Sequence, residues 1–127
     1  MIEHKCKYGN TEVILTFATF RSKFKGTVEL SIKEFRKLCP FSDDVDEGEL
    51  RIWYIPRTQL LEYLSFIKGL EVFRDQKLTH EDFVDWLFSQ LKRTLKPKIL
   101  EIQLTVVKSQ MTTTVCKGDG SFEGNVT

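Results

Sequence analysis

The apolar residues of this chain change period twice, and that change limits the folds open to it. From residue 49 to 55, Leu50, Ile52 and Tyr54 fall on one side of a two-residue alternation. Further on, Phe83, Val84, Leu87, Phe88, Leu91 and Leu95 recur at the spacing of one helical face. From residue 100 the alternation returns, with Leu100, Ile102, Leu104 and Val106 separated by Glu101, Gln103 and Thr105. A period of two belongs to a half-buried strand, and a period of 3.6 to an amphipathic helix. Strands, then helices, then strands again read as an α+β fold.

The flanking segments extend this pattern. Residues 11–20 and 25–32 are rich in Val, Ile, Phe and Thr, and Val28, Leu30 and Ile32 alternate with polar neighbours. The stretch Arg21-Ser22-Lys23 and Gly26 predict a hairpin joining those two strands. Pro56 ends the 49–55 strand. Leu60, Leu61, Leu64, Ile67 and Leu70 predict a first helix, with Gly69 near its end. Thr79 followed by Asp82 has the form of a capping box opening a second helix, which Pro97 stops. A last strand is expected over 112–116, and 118–127 reads as a small, polar, flexible tail. The expected architecture is one domain over 1–127, with its core at about 10–117. It is an antiparallel sheet with two antiparallel helices on one face. The open edges of such a sheet invite burial against identical subunits.

Composition narrows the class without naming an activity. Nineteen Lys and Arg face eighteen Asp and Glu, for a net charge of +1, but the charges are segregated. Lys5, Lys7, Arg21, Lys23, Lys25, Lys33, Arg36 and Lys37 make the first forty residues basic. Asp43, Asp44, Asp46, Glu47 and Glu49 form an acidic run, and the last third is basic again. Basic segments suit phosphates, although ordinary solvated surface has the same composition. No apolar run nears the roughly 20 residues that span a bilayer. Glu3, His4, Lys5 and Lys7 break any apolar leader, so a cytoplasmic protein is expected. Cys6, Cys39 and Cys116 are an odd number without a C-x-x-C pair, which fits a reducing compartment. Neither histidine stands at ligand spacing from a cysteine, so no metal site is expected.

A few residues could carry chemistry. Cys39 sits between Leu38 and Pro40, after Phe35-Arg36-Lys37-Leu38, at an expected chain reversal. It is either a nucleophile or, like most free cysteines, a small buried hydrophobe; Cys6 and Cys116 fit the second description. Asp46 lies in the acidic run, where neighbouring carboxylates would raise the pKa of one member and leave it a proton donor near neutral pH. His80 and Glu81 occupy the first turn of the second helix, where the helix dipole keeps a carboxylate ionised. Glu81 could then accept hydrogen bonds from a flat amide–amine edge, or simply be a dipole-favourable surface residue. Glu62 on the first helix is equally ambiguous.

The run Glu34-Phe35-Arg36-Lys37-Leu38-Cys39-Pro40, then Asp46, then Tyr54-Ile55-Pro56, resembles the pattern of the QueF nitrile reductase family. The intervals to Glu62 and His80, and the pair Phe73-Arg74, match as well, so the resemblance covers roughly residues 10–108. It implies a tunnelling fold, closing into pentameric barrels that stack as decamers with sites between subunits. It also implies that Cys39 attacks the nitrile of 7-cyano-7-deazaguanine to form a thioimide, that Asp46 moves protons, and that Glu81, with His80 and Glu62, holds the base. The family's reductases carry Glu-Ser-Lys-Ser-x-Lys for NADPH, where this chain reads Glu62-Tyr63-Leu64-Ser65-Phe66-Ile67, with Lys68 one position out. Their Arg-Gly-Gly is replaced by Val107-Lys108-Ser109. These departures point to the QueF-like branch, in which ammonia displaces the thiol. The nitrile base in tRNA then becomes the amidine of archaeosine without a redox cofactor. A diverged NADPH-dependent reductase and a non-catalytic purine- or RNA-binding tunnelling-fold protein are the alternatives.

Overall fold

In a computed structural model describing residues 1–10 and 13–119, the two-period pattern resolves into seven strands and two α-helices. In chain order they are β1 (Ile2–Lys7), β2 (Ile14–Arg21), β3 (Val28–Leu38), β4 (Val45–Ile55), β5 (Gln59–Leu61), α1 (Tyr63–Gly69), α2 (His80–Leu95), β6 (Ile99–Lys108) and β7 (Met111–Gly118). A 3₁₀ turn, Leu70–Phe73, follows α1. The class is α+β, as expected, but the strands form two antiparallel sheets instead of one. Their orders are β1-β2-β5 and β3-β4-β6-β7.

The expected hairpin between residues 11–20 and 25–32 does not form. The described part of the first segment, β2, pairs with β1 and β5, and the second segment pairs with β4; residues 11 and 12 lie outside the described residues. The basic loop between them crosses from one sheet to the other, with Gly26 at φ +146°, a conformation that suits glycine. Leu60 and Leu61, expected on a helix, are strand residues paired with Phe20 and Thr19 of β2. The buried Tyr54 hydroxyl accepts the Leu61 N–H at 3.0 Å, and burial pushes that phenol's pKa up to about 12. Tertiary pairing thus overrides helical spacing here. The inward face of α1 is built from Phe66, followed by Leu70 and Phe73, while Leu64 and Ile67 stay exposed.

The other elements follow the sequence closely. The apolar stripe of α2 is buried throughout, and the helix packs on β6 and β7. Its Thr79 cap accepts the Asp82 N–H at 3.0 Å. Lys96 ends it in the left-handed region at φ 49°, just before Pro97. In β4 and β6, Leu50, Ile52, Tyr54, Leu100, Ile102 and Leu104 are all fully buried. Of the expected tail 118–127, the two described residues are ordered. Gly118 ends β7, and the Asp119 carboxylate accepts the Leu100 N–H and the Lys92 ammonium. The rest of that segment, 120–127, lies outside the described residues.

One irregularity in β3 sets up everything that follows. Ile32 pairs with Leu50, but Phe35 pairs with Gly48, so β3 spends three residues where β4 spends two. This is a β-bulge, and it flips the faces of the strand. Val28 faces inward before it; Phe35 and Lys37 do so after it. Gly48, opposite the bulge, lies against β6, where an added Cβ would sit 2.2 Å from the Thr105 carbonyl oxygen. Gly48→Ala should therefore destabilise the protein by about 1–3 kcal/mol through forced backbone movement. A denaturant midpoint equal to wild type would contradict this packing.

Candidate functional site

The strand flipped by the bulge ends at the candidate nucleophile. Phe35, turned inward, stacks on Phe83 of α2 with ring centroids 4.5 Å apart. Phe83 in turn meets Phe73 edge-on at 5.1 Å. Three aromatics from three elements thereby fix the first turn of α2 against the end of β3. The backbone completes the join. The Leu38 N–H donates to the Gln76 carbonyl at 2.9 Å, and the Leu78 N–H donates to the Leu38 carbonyl at 3.3 Å. Residues 76–78 thus run parallel beside Leu38, and Thr79, His80 and Glu81 come next. Cys39 and the start of α2 are neighbours because of these two hydrogen bonds.

Cys39 lies at a chain reversal, as expected, but Phe35–Leu38 are not part of the turn. Those residues are strand, and the turn comes after them, closed by Cys39 N–H donating to the Asp44 carbonyl at 3.0 Å. The thiol is partly exposed. Hydrogen bonds from Ser42 and from the Phe41 backbone hold its pKa below the ordinary value. Burial opposes them, the Lys108 ammonium helps, and the Asp46 carboxylate opposes. The other two thiols move the other way. Burial pushes Cys6 up, and partial desolvation of the sulfur together with the Glu101 carboxylate pushes Cys116 up although the residue as a whole is exposed. Cys6 is buried as expected, but Cys116 is exposed because it lies on the edge strand β7.

Asp46 departs from its expected setting. It is the second residue of β4, buried rather than solvated, and directly opposite Lys37. Lys37 is 1% exposed and its ammonium lies 2.8 Å from Asp46 Oδ2. Lys108, at the end of β6, donates to Oδ1 at 3.1 Å. Burial alone would raise the Asp46 pKa, but hydrogen bonds and charge from the two lysines outweigh it, and the net shift is downward. The acidic run therefore does not keep a proton on Asp46. Asp43 is drawn off to Lys77 at 3.0 Å, and Asp44 stands 3.6 Å from Lys108. The cluster beside Cys39 is thus two cations and two carboxylates, and the hydrogen bonds from Ser42 and Phe41, with the Lys108 ammonium, are what favour its thiolate.

His80 and Glu81 begin α2 as expected. Burial lowers the imidazole pKa, Lys37 adds to this, and Asp46 and Glu81 oppose it. The ring is therefore neutral near pH 7, and its Nδ1 is buried without a hydrogen-bond partner. Glu81 is exposed at the helix N-terminus. Glu62 stands apart from the cluster around Cys39. It caps α1, its carboxylate accepting the N–H groups of Leu64 and Ser65 at 2.9 Å each. So Cys39, Asp46, His80 and Glu81 come together, whereas Glu62 serves a helix end within this chain.

Lys37 and Lys108 are the additions the structure makes. A lysine in a run of charged residues carries no signal of burial. The change of apolar parity from Ile32 to Phe35 is the trace from which the bulge, and hence the inward Lys37, is legible. Lys37→Met would leave a buried carboxylate held by Lys108 alone. The expected cost is about 3 kcal/mol, the low end for unpairing a buried charge. The pair's contribution has a definite pH dependence. With the folded pKa of Asp46 depressed, the stabilisation is present above the unfolded aspartate pKa and is lost as pH falls through the folded one. Acid unfolding of Lys37→Met should show less of this slope; an unchanged stability and acid profile would contradict the pairing.

Comparison with known proteins gives a consistent family. A family model described as QueF-like protein matches residues 45–116. The chain is 30% identical over 93 residues to the NADPH-dependent 7-cyano-7-deazaguanine reductase of Helicobacter pylori, covering 73% of this chain and 63% of that protein. The chain thus spans less than two thirds of that relative's length. The reductase of the same name from Bacteroides fragilis is 32% identical over 100 residues, covering 79% of this chain and 66% of that protein. Among solved structures, the archaeosine synthase QueF-Like in its apo form superposes with a TM-score of 0.71 at 24% identity. The match covers 78% of this chain and 98% of that one. That likeness is one of fold, and the fold is the tunnelling fold.

Proposed function

This chain belongs to the QueF-like family, and from that membership we propose that it converts the nitrile of 7-cyano-7-deazaguanine in tRNA to the amidine of archaeosine, using ammonia. The observation that carries the reading is the setting of Cys39. It alone of the three thiols is held toward its thiolate, beside a buried lysine–aspartate pair and the first turn of a helix.

The chemistry divides into two additions. Cys39 sulfur bonds to the nitrile carbon, and one carbon–nitrogen π bond opens. The nitrogen takes the proton the thiol gave up, and Asp46, resting as an anion, relays it as base and then acid. Ammonia then adds to the thioimide carbon, the carbon–sulfur bond breaks, and the thiol is regenerated with its proton. The product is an amidine, and no electrons are exchanged. Neutral His80 is suited to take a proton from ammonium or from the adding amine. Glu81, exposed in the first turn of α2, accepts hydrogen bonds from the flat edge of the base. Glu62 contributes only if a neighbouring copy brings its helix end to the site.

That last point bears on assembly. The edges β1 and β7 are open in the single chain, and most of their residues are exposed. Open edges favour pairing with further copies. A barrel of five, stacked as ten, is the assembly proposed. The tRNA would dock mainly through its phosphates on basic surface.

A reductive second step is the competing reading, supported by the names of the reductase relatives. The residues of α1 do not fit it. Where the reductase pattern has lysines, this chain has Leu64 and Ile67, 78% and 49% exposed. Apolar side chains cannot replace cationic contacts to a dinucleotide's phosphates.

Intact-protein mass spectrometry tests the proposal. Mixed with 7-cyano-7-deazaguanine, the wild type and the Cys6→Ala and Cys116→Ala variants should gain the mass of the base. Ammonium should then restore the original mass. Cys39→Ala should gain nothing. An adduct on Cys39→Ala, or none on the wild type, would overturn the mechanism.

A further inference from the structure

We infer that a second basic site, at the opposite end of the β3–β4 hairpin from Cys39, binds the phosphodiester backbone of RNA and offers Phe24 as a stacking surface for an unpaired base. The inference rests on the proposed tRNA substrate and adds where that RNA is gripped. The β2–β3 loop and the β4–β5 loop enclose a cleft of about 540 Å³ lined by Arg21, Ser22, Lys23, Lys25, Arg57 and Thr58. Four of the six are cations. Among the described residues none of the four has a carboxylate at ion-pair distance. Some exposed cations elsewhere are paired, as Arg36 with Glu47 and Lys77 with Asp43, and others such as Lys5, Lys33, Lys68 and Lys98 are not; what sets this cleft apart is that four without a carboxylate partner converge on it. Four unpaired like charges around one cleft repel one another, and a polyanion relieves that repulsion.

The loop is also built, not merely basic. The Ser22 N–H donates to the Thr58 carbonyl at 3.0 Å, tying the two loops together. The Ser22 hydroxyl accepts the Phe24 N–H at 3.1 Å. The Phe24 ring lies over Gly26, so close that a Cβ there would be 2.8 Å from the ring. Phe24 is thereby held 46% exposed between Lys23 and Lys25. An exposed aromatic flanked by cations is the arrangement with which proteins stack bases while tracking the phosphate backbone. Scale separates this site from the first. β3 runs from Val28, next to the cleft, to Leu38, next to Cys39. At about 3.3 Å per residue that is roughly 30 Å within one subunit. A free base or a dinucleotide seated at Cys39 cannot reach the cleft, whereas a folded RNA can.

The test is fluorescence anisotropy of the full protein with a labelled, unmodified tRNA transcript over about 50–200 mM salt. Lys23→Ala/Lys25→Ala/Arg57→Ala should weaken binding at least tenfold. It should also lower the slope of log affinity against log salt by about two to three, since each lost phosphate contact removes about 0.7–0.9. Phe24→Ala should weaken binding and leave the slope unchanged. A Lys77→Ala/Lys92→Ala control, which removes paired lysines, should change neither. Equal affinity and slope in the triple variant would overturn the inference, as would a wild type that binds no RNA. So would a triple variant that loses NADPH binding while keeping RNA binding. Adduct formation with free 7-cyano-7-deazaguanine on the same samples keeps the two claims apart. The triple variant should retain it. Failure in the wild type would count against the chemistry at Cys39 and leave the RNA result to be judged by itself.

Discussion

Lys37 and Asp46 face each other across the end of the β3–β4 hairpin, both almost wholly buried, and the rest of the site is arranged around that pair. A buried ion pair is weak evidence for stability, because desolvating two charges offsets most of their attraction. Here it has another consequence. Lys108 joins the same carboxylate from β6 and also stands 3.6 Å from Asp44, so three strands and the turn converge on one cluster of two cations and two carboxylates. The partly exposed thiol of Cys39 sits two residues after Lys37; hydrogen bonds from Ser42 and the Phe41 backbone lower its pKa, and the Lys108 ammonium adds to them while burial and Asp46 oppose. The cluster thus orders the end of the hairpin from which Cys39 projects, while hydrogen bonds made in the following turn shift the thiol toward its thiolate.

The pair exists only because of the bulge in β3. Without the extra residue between Ile32 and Phe35, strict alternation would turn Lys37 to solvent and Asp46 would lack its partner. The same flip turns Phe35 inward onto Phe83, which fixes the helix carrying His80 and Glu81. One inserted residue therefore aims the cation and anchors the first turn of the helix. Gly48 across the ladder is the matching concession, since only a residue without Cβ lets β4 lie against β6 there.

Much of this was legible in the sequence, and the failures share a physical cause. The stripe of α2, its Thr79 cap, and the alternation in β4 and β6 are local patterns, and all held. Partner choice is not local. Nothing in residues 11–32 says that the two strands join different sheets, and nothing in Leu60-Leu61 says that β2 will claim them from a helix. The ionisation of Asp46 is not local either. Adjacent carboxylates were visible in the sequence, while the lysines that outweigh them arrive from the facing strand and from a position 62 residues away. Cys39, Asp46, His80 and Glu81 are singled out by the resemblance, and the fold brings them close, with Cys39 and His80 each within electrostatic reach of Asp46. Glu62 was singled out by the same resemblance, yet within this chain it is a helix cap.

The central claim is that a poised thiol passes the nitrile carbon to ammonia rather than to hydride. The most direct measurement is nucleoside mass spectrometry of tRNA carrying 7-cyano-7-deazaguanine after incubation with the protein, supplied in parallel with ammonium or with NADPH. The account predicts the amidine nucleoside with ammonium and unchanged nitrile nucleoside with NADPH. An aminomethyl product formed with NADPH at a comparable rate would contradict it.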